Sequence, residues 1–224
     1  MRKSRRLRIS LSMFFNETSP FRLLFIGDSI TDCGRDRDSC GVELGVGYVR
    51  EIDALVRVHY PQLPIQILNT GISGNRVTDL EERWQTDVLK LKPDYVSIMI
   101  GINDVWRHYD SPFLEQVDLT TYIAKLDGLI QQTLVSVKGL MVMSPFFLET
   151  NRADPMRAQM DAYGAAAKSI ALRHNVVFVD VQAAFDAWLS HSPTQQLCAD
   201  RVHPNHLGHH IIASAFLNAV GFQW

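Results

Sequence analysis

Arg22-Leu23-Leu24-Phe25-Ile26-Gly27-Asp28-Ser29 is a nearly continuous apolar run that stops at a glycine and gives way to polar residues. A strand apolar on both faces belongs inside a parallel sheet covered on both sides. Outward along the chain the pattern returns. Ile65-Gln66-Ile67-Leu68-Asn69 runs to Gly71, residues 94–100 run to Gly101, residues 140–143 to Ser144-Pro145, and residues 176–179 to Asp180. Between these runs the period changes. Val77, Leu80, Trp84, Val88 and Leu91 recur at three- and four-residue steps, and so do Tyr48, Ile52, Leu55, Val56 and His59, with Pro61 ending that stretch. Residues 155–173 and 205–219 also read as helices. Strands alternating with helices predict an α/β fold: three layers, α/β/α, around a five-stranded parallel sheet, in one domain over 21–224.

Composition narrows the function classes. The chain has 224 residues, 46% of them hydrophobic and 21% charged, with a net charge of −2. No basic stripe crosses the body of the chain, so nucleic acid is not an expected partner. No apolar run approaches the eighteen residues of a membrane span. Arg2, Lys3, Arg5, Arg6 and Arg8 crowd the start, and Ile9-Ser10-Leu11-Ser12-Met13-Phe14-Phe15 follows. That stretch is short for a secretory signal, is broken by serines and lacks a small-x-small cleavage site. Residues 1–20 are therefore expected to be a basic extension, disordered or loosely docked. Cys33, Cys40 and Cys198 form no Cys-x-x-Cys pair. They favour a reducing compartment, the cytoplasm, over a Cys33–Cys40 disulfide.

In an open parallel sheet, ligands bind beyond the carboxyl ends of the strands. Ser29, the Gly71–Asn75 segment and Asn103 each follow a strand, so all three fall on that edge. A serine nucleophile needs a base, the base needs a group to hold its tautomer, and the intermediate needs oxyanion donors. Ser29, His203 and Asp200 supply the first three. The Ser29 and Gly74 backbone N–H groups and the Asn103 amide supply the donors. Each residue has a plainer reading: Ser29 as a helix cap, Asn103 as a turn residue, His203 as a surface histidine. Asp104 is expected to take a turn or cap. Ser73, in Gly71-Ile72-Ser73-Gly74-Asn75, imitates a Gly-x-Ser-x-Gly elbow but has Asn75 at the fifth position, and is the minor nucleophile candidate. His203, His206, His209 and His210 crowd together, yet no acidic or cysteine partner stands at ligand spacing within that helix. No metal is expected.

These blocks, in this order, resemble the SGNH branch of the GDSL esterases and lipases, named for the residues matched here by Ser29, Gly74, Asn103 and His203. The segments 27–35, 101–107, 154–157 and 200–204 are similar to those of the bacterial intracellular acetylxylan esterases of that superfamily. The resemblance implies a flavodoxin-like fold, no cofactor, a homo-oligomer, and a small acetylated oligosaccharide as substrate. The implied reaction is deacetylation through an acetyl-serine intermediate. Asp28, Trp106 and Arg107 are the candidate substrate contacts. The alternatives are a lysophospholipase or thioesterase, or a broad short-chain esterase, on the same triad, and a non-catalytic sugar-binding module.

Overall fold

The computed structural model describes residues 13–224. Five strands form one parallel sheet: β1 (Phe21–Gly27), β2 (Ile65–Asn69), β3 (Tyr95–Met99), β4 (Gly139–Met143) and β5 (Val177–Val179), in the order β2-β1-β3-β4-β5. Every residue of β3 and β4 is buried, as the unbroken apolar runs predict. The chain first steps from β1 outward to β2, then returns past β1 to β3. Right-handed crossovers in opposite directions put their helices on opposite faces. Helix α1 is the short Ser29–Asp32; α2 (Tyr48–His59) packs with the final helix α8 (His206–Ala219), which also packs on α7 (Val181–Leu189). Helices α3 (Val77–Asp87), α4 (Ile102–Asp110), α5 (Leu119–Leu134) and α6 (Pro155–Arg173) build the other layer, with α5 against α3 and α6 and α4 against α6. The three-layer expectation holds, and so do the five strand positions.

One buried charge is built into this frame. Asp154 caps α6 by accepting from Arg157 N, and Pro155 occupies the first turn, where its missing N–H costs nothing. The Arg157 guanidinium, 1% exposed, binds Asp186 on α7 and Asp161 one turn along its own helix. It also donates to the Glu149 carbonyl, so it joins α6, α7 and the loop after β4. A buried guanidinium with all its neighbours satisfied is tolerable, and removing one partner leaves a costly orphan.

The expectation for residues 1–20 needs correction over its second half; residues 1–12 lie outside the described residues. Phe14 is 1% exposed and packs on Phe21 and Tyr95, the first residues of β1 and β3. Phe15 stacks on Tyr60 and meets Phe222 edge-on. Met13 N donates to the Val220 carbonyl at 3.2 Å, and the Glu17 carboxylate accepts from the Tyr95 hydroxyl at 2.8 Å and pairs with Lys138 at 3.0 Å. The apolar pair that imitates a signal segment is a plug on the amino-terminal edge of the sheet. The loose-extension expectation fails here because Phe14 and Phe15 bury their rings against residues far away in sequence, which no local pattern displays. Phe14→Ala is expected to lower the unfolding free energy by about 3–5 kcal/mol in urea titration; a loss under about 1 kcal/mol would mean that the segment is only loosely held.

Candidate active site

The Ser29 turn is made by its neighbours. A side chain on Gly27 would put its Cβ 2.3 Å from the Met99 carbonyl oxygen, so only glycine lets β1 leave the sheet this close to β3. Asp28 then caps α1, its Oδ1 accepting from Ile30 N at 3.0 Å. Asp28 is 1% exposed and does not line the cleft in which Ser29 lies, which corrects its expected role as a substrate contact. Its carboxylate turns inward because the first-turn N–H groups point that way. Burial pushes its pKa up to about 7, and the nearby Asp104 charge adds to the rise. Asp104 is likewise raised to about 7, chiefly by burial, although its Oδ1 accepts from Val77 N at 2.9 Å. It is thus a cap, as expected, but for the start of α3 rather than for its own segment.

Ser29 Oγ lies 3.0 Å from His203 Nε2, and His203 Nδ1 lies 2.7 Å from Asp200 Oδ2. These groups come from opposite ends of the sequence, joined because α8 packs back beside α2. Asp200 Oδ1 accepts from the backbone N–H groups of Val202 at 2.9 Å and His203 at 2.8 Å, closing a tight turn in which Arg201 takes φ +65°. Burial works to raise the Asp200 pKa, but hydrogen bonds from Cys198, from His203 and from the backbone outweigh it and hold the carboxyl far below the usual range. An ionised carboxylate on Nδ1 keeps the proton there and leaves Nε2 free to accept from the serine hydroxyl. This geometry can raise the nucleophilicity of Ser29 and hold the imidazolium that forms when the proton moves.

Two expected oxyanion donors flank it. Gly74 has φ +84°, a left-handed conformation that favours glycine, and a Cβ built there meets no atom within 4 Å. The glycine is therefore required by backbone handedness rather than by crowding from the protein. Asn103 is held at both ends of its amide: Nδ2 donates to the Asn75 carbonyl at 3.0 Å, and Oδ1 accepts from Arg107 Nη2 at 3.1 Å. With the oxygen pinned, the second N–H is available as a donor. Ser73, the rival nucleophile, is committed elsewhere: its Oγ and its N–H both donate to Asp32 Oδ2, at 2.9 and 3.0 Å.

Ser29, Gly74, Asn103, Trp106, Arg107 and His203 line one open cleft of about 480 Å³. Trp106, half-buried, presents its ring 5.8 Å from the His203 ring, and the Arg107 guanidinium stacks over Trp106 at 5.3 Å. Arg107 also pairs with Asp110, so it braces Asn103 and the indole as well as facing the cleft. A larger and more polar hollow of about 600 Å³, walled in part by Glu149, Thr194 and Arg201, contains none of Ser29, Asn103 or His203.

The remaining histidines separate. His209 Nδ1 accepts from Tyr48 N at 3.2 Å and its Nε2 lies 3.3 Å from the Cys33 thiol. Burial pulls its pKa down to about 4, so the ring is neutral near pH 7. His206 and His210 both turn to Glu51, supplied by α2, at 3.3 and 2.7 Å. Among the described residues no group of three or more His, Cys, Asp or Glu side chains is arranged to hold a metal ion. Cys33, Cys40 and Cys198 are free thiols. Sequence reasoning missed the Arg107 brace and the Asp32 anchor of Ser73. The four-residue step from Asn103 to Arg107 on a helix was the available signal for the first.

The sequence profile of the GDSL-like lipase/acylhydrolase family matches residues 25–211, and the chain belongs to that family of acyl hydrolases. It is 52% identical over 209 residues to an acetylxylan esterase of Geobacillus stearothermophilus, covering 91% of this chain and 95% of that protein. A solved structure of an acetylxylan esterase from Geobacillus stearothermophilus superposes with a TM-score of 0.89 at 51% identity, covering 92% of this chain and 96% of the other. An alpha/beta hydrolase enzyme from the metagenome of Lake Arreo, Spain, superposes with a TM-score of 0.90 at 46% identity, covering 93% and 98%.

The buried carboxyl behind Ser29 has a consequence for stability. Its pKa is raised from 3.8 to about 7 on folding, so the folded state holds this proton more tightly than the unfolded state. The contribution is full below about pH 4 and is lost as pH rises through about 7. Asp28→Asn keeps an oxygen for Ile30 N–H and removes the ionisation. In urea unfolding at pH 5 and pH 8, the variant is expected to lose less stability between the two than the parent; equal losses would show that Asp28 does not titrate in this window.

Proposed function

We propose that this acyl hydrolase is a serine esterase that removes acetyl groups from acetylated carbohydrates, with xylo-oligosaccharides as the leading substrate class. The observation that carries the reading is the unbroken chain Ser29 Oγ–His203 Nε2 and His203 Nδ1–Asp200 Oδ2, at 3.0 and 2.7 Å, in a cleft that Gly74 and Asn103 also line. The likeness to acetylxylan esterases over nine-tenths of the chain supports the substrate class.

Ser29 attacks the acetyl carbonyl carbon while His203 Nε2 takes the hydroxyl proton. The carbonyl π electrons move to oxygen, and the Ser29 and Gly74 N–H groups and the Asn103 amide hold the resulting oxyanion. Collapse expels the sugar alkoxide, which receives the proton from His203. Water then adds to the acetyl-serine with His203 again as base, releasing acetate and restoring the serine. Asp200 stays ionised throughout and stabilises the imidazolium. Trp106 and Arg107 form the wall on which a sugar ring would stack or hydrogen-bond. The reading needs no cofactor. It also takes the enzyme to be cytoplasmic, which the free thiols favour, and a homo-oligomer, which rests on the resemblance alone.

Acetate release from acetylated xylo-oligosaccharides, measured beside aryl acetate, butyrate and octanoate, tests the substrate class. Rapid sugar deacetylation with activity collapsing beyond butyrate is the expected result. Octanoate preferred over acetate with the sugar untouched would move the enzyme to long-chain esters. Ser29→Ala and His203→Ala are expected to lower kcat by about 10⁶-fold and Asp200→Asn by about 10⁴-fold, with unchanged circular dichroism. A Ser29→Ala protein near full activity would reject the nucleophile.

A further inference from the structure

Cys198 does nothing in the scheme above, yet its sulfur touches two of the three residues proposed to carry it. The side chain is buried, and Sγ lies 3.0 Å from Asp200 Oδ1 and 3.0 Å from the His203 carbonyl oxygen. Both neighbours are acceptors, so the sulfur must carry its hydrogen; a thiolate here would face a carboxylate and a carbonyl at contact distance. Burial first, and the Asp200 carboxylate next, push the thiol pKa up to about 11, in keeping with a permanent S–H donor.

The acceptor side is equally specific. Asp200 Oδ1 collects Val202 N, His203 N and the Cys198 thiol, while Oδ2 is left for the imidazole alone. The two backbone donors belong to the turn and come from residues after Asp200. The thiol comes from the residue two before it, so a third donor reaches Oδ1 from the chain leading into the turn. Each donor on Oδ1 adds to the cost of rotating the carboxylate about its Cβ–Cγ bond, and the thiol is the side-chain donor beside the two backbone ones.

We propose that Cys198 is a positioning residue: its S–H, given to Asp200 Oδ1, reinforces the two backbone donors against rotation of the carboxylate and so helps keep Oδ2 on His203 Nδ1. The inference deepens the proposed mechanism and rests on it. The thiol touches neither substrate nor reacting atoms and acts only through Asp200. It is also a fixed point for the backbone of His203, whose carbonyl shares the same sulfur.

Three variants separate hydrogen bonding from packing. Cys198→Ser keeps a donor, Cys198→Ala removes donor and volume, and Cys198→Val fills the space with a slightly larger apolar group that has no donor. Cys198→Ala and Cys198→Val are expected to lower kcat about tenfold, in line with losing one hydrogen bond to a charged group, with KM changed less than twofold. The acid limb of their kcat–pH profiles is expected to move to lower pH, because a carboxylate free to turn away stabilises the imidazolium less. Cys198→Ser is expected to restore most of kcat and the position of the limb. Cys198→Val with the parent kcat, a limb that stays put or rises, or Cys198→Ser as impaired as Cys198→Val would overturn the proposal in favour of plain packing. Asp200→Ala in the same series tests the mechanism beneath it. An active Asp200→Ala sinks both, whereas an inert one beside an unimpaired Cys198→Val sinks the cysteine alone.

Discussion

The parallel pairing of β1 with β3, in the register that sets Gly27 opposite Met99, is the constraint on which the rest of the site depends. Chain direction reverses across the sheet at this pair, since β1 leads outward to β2 and β3 leads the other way to β4. The helices that follow therefore diverge to opposite faces, and a crevice opens between the two strand ends. Ser29 rises from one lip and Asn103 from the other. The absence of a Cβ at Gly27 sets how close those lips come. Shifting the register by one residue would move the serine about 3.3 Å along the strand, more than a hydrogen bond tolerates.

The triad is completed across 174 residues of sequence. His203 and Asp200 sit on the approach to α8, which packs against α2, α7 and β5 and sets Phe216 on Phe25 of β1. Local and global demands agree here. The carboxylate that orients His203 is also the acceptor that closes the turn carrying it, so one group serves conformation and chemistry together. The same economy recurs at Asn103, whose amide oxygen is fixed by an arginine one turn further along α4.

How much of this was legible in the sequence differs by physical scale. The strands could be read because parallel strands are apolar on both faces, which leaves a continuous run that few other elements produce. Ser29, Gly74 and Asn103 could be put on one edge because the strand-end rule assigns an edge without knowing any distance, whereas Asp200 and His203 follow no strand and were read from their three-residue spacing and the family resemblance. Asp28 could not be read correctly: its neighbour faces the cleft, and only the cap geometry of α1 shows that its own side chain points inward. Gly74 lines the cleft, but its left-handed backbone was out of reach, since a sequence does not display the sign of φ. Glu51 as the partner of His206 and His210 was out of reach, because it lies on a helix more than 150 residues earlier in the chain. Phe14 and Phe15 were out of reach for a different reason. Hydrophobic pairs near a basic start carry no mark that distinguishes an edge plug from a targeting segment.

That plug also sets the first described residues beside the last ones, away from the chemistry. Met13 N–H meets the Val220 carbonyl and Phe15 meets Phe222, so the first and last described segments lie side by side. They do so against Phe21 and Tyr95, which start their strands, whereas Ser29 and Asn103 follow strand ends. The fold is in effect a loop fastened at the floor of the sheet with its working groups at the ceiling. A short peptide joining these segments, with a new opening cut in a loop on the far side, would leave the cleft's geometry to the same sheet. A domain joined directly at Met13 or at Phe222 would start beneath the sheet, away from the mouth of the cleft.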